Sequence, residues 1–187
     1  MFMKTPDSGM NNVPDLESLP IRLPGFISIS GNEKPVPKKD SYQAIFKGVP
    51  IIAEVETLSS MVRDKIPTIE MTIKVSTKPN DINNVTLSIT ISKEDREDEA
   101  MATTGIENAA QDLKHLGLGR AMWLISLKLM QKFADEFDMA VTHKVIRMPD
   151  LGLTGAKWNE LFLPLLNQHG FVKVGSNEWE KVFEPQK

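Results

Sequence analysis

Lys114-His115-Leu116-Gly117-Leu118-Gly119-Arg120-Ala121 stands directly before the clearest helical periodicity in the chain. Two glycines two residues apart let the backbone bend tightly and let a bulky group approach with no Cβ in the way. The first amides of a helix have no intrahelical partner and the macrodipole is positive there, so successive N–H groups at this point can cradle a phosphate or diphosphate. The run is not a Walker loop, because no Gly-Lys-Ser/Thr follows, and not a dinucleotide fingerprint, because no third glycine stands three residues on. A purely structural turn is the alternative reading of the same glycines.

Other side chains offer chemistry singly. His143, in an expected strand over 139–147, titrates in a range that suits a general base, against which stands the reading of a half-buried structural histidine. Glu107 is a second candidate base, from the segment leading into the glycine run. His115 offers a ring donor to a phosphate, whereas His169, before Gly170, reads as a cation at a helix C-terminus. The three histidines show no H-x-x-x-H or H-E-x-x-H spacing, and with no cysteine the chain has no thiolate metal site, disulfide or cysteine nucleophile. No metal is expected. Trp123, Trp158 and Trp179 lack a basic stripe between them and read as packing residues, as do Met122, Met130 and Met139.

The elements that must position these residues follow from apolar periodicity. Val55, Leu58, Met61 and Val62 recur at helical spacing and predict a short helix within 53–65, stopped by Pro67. Ile69, Met71, Ile73 and Val75, then Val85, Leu87, Ile89 and Ile91, alternate with polar residues and predict an antiparallel hairpin across the turn-rich 78–84. Residues 101–113 are ambiguous between a weak strand and a helical start. Ala121, Leu124, Leu127, Met130, Ala134 and Phe137 predict a long helix over 119–137. A strand over 139–147 follows, then a helix over 156–168 that Pro164 distorts unless it falls in the first turn, and a closing hairpin around Gly175-Ser176-Asn177. The fold class is α+β: a mixed, mainly antiparallel twisted sheet with helices on both faces. Six of the 12 prolines fall before residue 40, so 1–40 reads as an irregular extension, with Ile21, Leu23, Phe26, Ile27 and Ile29 available to anchor it, and 41–187 as the domain.

Composition narrows the function classes. A chain of 187 residues with 41% hydrophobic and 25% charged residues is ordinary for one globular domain. The net charge of −3 gives no whole-chain case for binding nucleic acid or an anionic membrane. No apolar stretch reaches the about 20 residues of a membrane span, and the N-terminus does not read as a secretory signal, so the cytoplasm is the expected compartment. The charge is nevertheless uneven: Glu94, Asp95, Glu97, Asp98 and Glu99 crowd together between Lys93 and Ala100. Such a run is a solvated loop or an electrostatic lip that attracts a cation.

Lys114-x-x-Gly117-x-Gly119 resembles the [Q/R]-x-x-G-x-[G/A] diphosphate-binding motif of the GCN5-related N-acetyltransferase superfamily. About 40 residues on, the segment from Asn159 to Phe171 is similar in spacing to that family's N-x-x-A-x-x-L-Y-x-x-x-G-F segment, and residues 170–183 resemble its closing hairpin. The resemblance covers residues 68–183, and most closely 114–183. Lys114 replaces the usual Gln or Arg, Phe162 a small residue, and Leu166 the tyrosine that protonates the departing thiolate. The resemblance implies an acyl-CoA N-acyltransferase-like fold, with acetyl-CoA or another acyl-CoA as co-substrate. Its diphosphate would lie on the amides of Leu116, Gly117, Leu118, Gly119, Arg120 and Ala121, beside Lys114 and His115, with Asn159 on the pantetheine arm. It implies transfer to a small-molecule or peptide amine, which the acidic run makes a cationic one. The alternative is a catalytically inactive member of the fold that binds CoA or a partner protein. In either case exposed sheet edges are compatible with a homodimer.

Overall fold

Alternating apolar residues on successive segments dictate strands, and here they build one sheet. The computed structural model describes residues 13–26, 36–62, 66–93, 98–108, 113, 116–147, 156 and 158–186. The strands are β1 (Lys38–Phe46), β2 (Val49–Val62), β3 (Ile66–Ser76), β4 (Val85–Lys93), β5 (Glu99–Asn108), β6 (Ala140–Ile146), β7 (Val172–Lys173) and β8 (Glu178–Phe183). They form an eight-stranded sheet in the order β1-β2-β3-β4-β5-β6-β8-β7. Every neighbouring pair is antiparallel except β5 and β6, which run parallel because the helix α1 (Leu118–Phe137) crosses between them. The protein is therefore α+β with a mixed sheet.

The register carries one apolar face across the sheet. Val55, Ile73, Leu87 and Ile106 lie in one row, and Ala53, Val75 and Val85 in the next. Val141, His143 and Val145 continue that face onto β6 through the pairing of Ala102 with His143. The helix α1 rests on it with Met122, Trp123, Met130, Phe133 and Ala134 buried. The opposite face carries Glu56, Thr72, Lys74, Ser88, Thr103 and Glu107. Antiparallel sheets commonly leave such a polar face to water. After β6, a single π-helical turn (Trp158–Phe162) leads into α2 (Leu163–Gln168). Trp158 meets Trp179 at 5.7 Å and Phe162 meets Trp123 at 5.1 Å, so this turn packs on the same face as α1. Among the described residues the expectation of helices on both faces is met on this face only.

The helix expected within 53–65 is corrected to the strand β2. Ile51, Ala53, Val55, Thr57 and Ser59 are the residues that point into the core, and hydroxyls at the last two positions hide the period of two. Ser59 donates a hydrogen bond to the Gly25 carbonyl at 2.9 Å, which ties the N-terminal segment down. That segment is anchored more firmly than an irregular extension requires. Leu16 and Ile21 are buried, Phe26 meets Phe133 edge-on at 5.7 Å, and Asp15 bridges to Ile45 on the β1 edge. Ile27 and Ile29 lie outside the described residues.

The ambiguous 101–113 begins as strand β5, and Pro164 falls in the first turn of α2, where a missing N–H costs nothing. The β3–β4 hairpin, α1, β6 and the closing β7–β8 hairpin form as their periodicity predicts. No helix among the described residues is long and apolar enough to cross a membrane.

Candidate functional site

The glycine turn is built for an exposed, positive helix start. Gly117 is the N-terminal cap of α1 with φ of +76°, a left-handed conformation in which an L side chain is strained. Its carbonyl accepts hydrogen bonds from the Arg120 and Ala121 amides at 3.1 and 3.2 Å, which leaves the amides of Leu118 and Gly119 as the orphan donors of the first turn. No side chain caps this end, and no acidic residue stands in its first turn. Gly119 has an ordinary φ, and a Cβ built on it would meet nothing within 4 Å. Packing among the described residues thus gives no reason for glycine at this helical position, where alanine would be about 1 kcal/mol better.

Lys47 joins this turn from far away in sequence. It occupies, with Gly48, the two-residue turn between β1 and β2, both with positive φ. Its Nζ lies 3.5 Å from the point a Gly117 Cβ would occupy, so an ammonium group stands against the glycine cap. Sequence reasoning missed it; the signal was Lys47-Gly48 between two alternating apolar runs. Lys114 and His115 lie outside the described residues.

Beneath the first turns of α1 the sheet forks. The parallel pairing joins Glu99–Thr103 to Ala140–Lys144 and stops. Beyond it, Thr104–Asn108 pair with β4, while Val145 and Ile146 pair with β8. The two parallel strands therefore separate at the end of the sheet where β5 leads toward α1. His143 sits at the base of this fork, fully buried, with Nε2 2.9 Å from Thr104 Oγ1. Trp123, one turn past Gly119, stacks against the His143 ring at 5.4 Å. Burial, reinforced by the Lys181 ammonium, lowers the His143 pKa from 6.5 to about 4, so the imidazole is neutral at pH 7.

The remaining candidates are dispersed. Glu107 is exposed on the opposite face of β5 from His143, because odd and even positions of a strand point to opposite sides. The two candidate bases therefore do not share a site. Asn159 is exposed in the π-helical turn, next to Trp158. Leu166 is wholly buried, and its carbonyl accepts the Phe171 amide at 3.0 Å. His169 follows the last turn of α2, with Gly170 at φ of +76° as the stop.

Of the acidic run, Asp98 and Glu99 lie at the end of β5 remote from the glycine turn. Ten residues of β5 separate Asp98 from the other end, a span of about 30 Å at the rise of an extended strand. Glu94, Asp95 and Glu97 lie outside the described residues. Among the described residues no group of three His, Asp or Glu gathers as a metal site.

The chain matches no protein-family model, no curated protein and no solved structure.

Proposed function

We propose that this protein binds an acyl-CoA at the start of α1 and transfers its acyl group to the nitrogen of a small-molecule or peptide amine, on an acyl-CoA N-acyltransferase-like scaffold. The observation that carries the reading is the pairing of two features at one end of the sheet. One is an uncapped, acid-free helix start with a left-handed glycine. The other is the separation of the parallel strands β5 and β6 below it. The open space over Gly119 fits a ligand that must approach the backbone closely. A diphosphate would accept from the Leu118 and Gly119 amides and meet the positive charges of Lys47 and Arg120, while the fork receives the chain beyond it.

In the transfer, the amine nitrogen attacks the thioester carbonyl carbon, the C–N bond forms, the C–S bond breaks, and the sulfur leaves as thiolate. The proton lost by the amine passes to water. Glu107, on the other face, is not placed to take it, and His143, its pKa lowered to about 4 by burial, is a weak base for it. The buried Leu166 has no proton to donate. These placements favour a second reading, in which the chain binds acyl-CoA without turning it over.

Calorimetric titration with acetyl-CoA tests the binding, with Gly117→Asp as the control that puts a carboxylate on the anion site. The reading expects saturable binding by the wild type and its loss in Gly117→Asp; absence of wild-type binding overturns both readings. Release of free thiol on offering polyamines, aminoglycosides or peptides with acetyl-CoA then supports transfer, and its absence with all of them supports the binding module.

A further inference from the structure

Three buried ring nitrogens close to the fork have no hydrogen-bond partner among the described residues: Trp123 Nε1, His143 Nδ1 and Trp158 Nε1. Trp123 is 1% exposed and His143 is not exposed at all. Native interiors pair nearly all such groups, because an unpaired buried donor forfeits its hydration with nothing in return. The three belong to one connected layer of rings. Trp123 lies 5.4 Å from His143 and 5.1 Å from Phe162, and Phe162 lies 4.7 Å from Trp158. The layer starts one helical turn from Gly119 and ends at the β5–β6 fork; Phe162, Phe171 and Phe183, which pack against it, offer neither donors nor acceptors, and the Thr104 hydroxyl is taken up by His143 Nε2.

An indole N–H can only donate. What is missing is an oxygen acceptor. The described cover over Trp123 is half-buried Phe162 with Trp158 against it, and Asn159, Glu160 and Leu161 beside them are exposed. It is also a π-helical turn, a geometry concentrated where a backbone is bent for function. We infer that this ring layer is the acyl end of the binding site, and that Trp123 Nε1–H, beside His143, holds the thioester carbonyl oxygen of an acyl-CoA. The inference rests on the acyl-CoA reading and adds to it the group that distinguishes the acylated from the free carrier. Free CoA has the diphosphate but lacks that carbonyl.

The experiment compares acetyl-CoA with CoA by calorimetry on the wild type and on Trp123→Phe, which keeps a ring in the core and removes the N–H. The wild type is expected to bind acetyl-CoA about tenfold more tightly than CoA, the value of one added hydrogen bond. In Trp123→Phe the ratio falls to near one while CoA affinity changes less than about threefold. An indole ¹⁵N–¹H spectrum of the wild type, with three tryptophans to assign, gives the same answer without a core substitution. Acetyl-CoA is expected to shift the Trp123 indole proton downfield, and CoA to leave it in place. If both ligands bind with equal affinity and the Trp123 indole does not respond, the ring layer is not the acyl site, and the binding reading survives. If neither ligand binds, the binding reading itself falls and this inference with it.

Discussion

Thr104 Oγ1 meets His143 Nε2 at 2.9 Å, and this side-chain bond joins β5 to β6 diagonally, from the first β5 residue past the parallel pairing to a β6 residue that pairs with Ala102 within it. It acts as a clasp at the base of the fork. Thr104→Val keeps the shape, removes the hydroxyl and leaves both nitrogens of a buried imidazole unpaired. A loss of about 1–3 kcal/mol in unfolding free energy is expected, measured by urea denaturation at pH 7. A change within a few tenths of a kcal/mol would mean that the clasp carries no strain-bearing role.

The same histidine makes stability depend on pH. Burial first, and the Lys181 ammonium second, hold its pKa near 4 in the fold against 6.5 ordinarily. Between those values the unfolded chain binds a proton that the folded chain refuses, so stability falls as pH is lowered from about 6.5 towards 4. At full extent the penalty is about 3 kcal/mol. Urea midpoints across this range should show the decline, and His143→Gln, although less stable at pH 7, should lose this part of the slope. An unchanged slope would place the imidazole in contact with water.

Gly119 separates stability from binding. Because a Cβ there meets nothing among the described residues and the φ is ordinary, Gly119→Ala should raise the unfolding free energy by about 0.5–1 kcal/mol. The same methyl group stands where a bound diphosphate must approach, so acetyl-CoA affinity should drop at least about tenfold. Higher stability with undiminished affinity would remove Gly119 from the site.

Asp98 is predicted to be irrelevant to acyl-CoA binding. It lies ten strand residues from the glycine turn, about 30 Å at the rise of an extended strand and several screening lengths at physiological salt. Asp98→Asn should change acetyl-CoA affinity less than about twofold at physiological salt. A larger change would contradict that separation.

Elements whose apolar residues keep a single period were legible: the β3–β4 hairpin, α1 and β6 each show one unbroken stripe. Strand β2 was not, because Thr57 and Ser59 occupy buried positions and leave Val55, Leu58, Met61 and Val62 to imitate a helix. Strand β5 has poor intrinsic β propensity, yet Ala100 and Ala102 are completely buried beneath α1, where small side chains let the helix approach the sheet. Their smallness is a packing requirement that no local pattern displays. The glycine turn was visible as two glycines before a helix. The Lys47 ammonium beside it was not, since 70 residues separate the partners and only the fold closes that distance. The fork was equally hidden, because where two strands part is a property of their pairing and not of either segment. Asp98 stands 19 residues before Gly117 in sequence, and an extended strand of ten residues carries it to the other end of the sheet.

The central claim is that the amides opening α1 bind the diphosphate of an acyl-CoA. Backbone amide shifts of ¹⁵N-labelled protein during titration with acetyl-CoA test it most directly. The account predicts saturable shifts that are largest at Gly117, Leu118, Gly119, Arg120 and Ala121 and are competed by free CoA. A spectrum unchanged at saturating acetyl-CoA, or shifts centred elsewhere on the sheet, would contradict it.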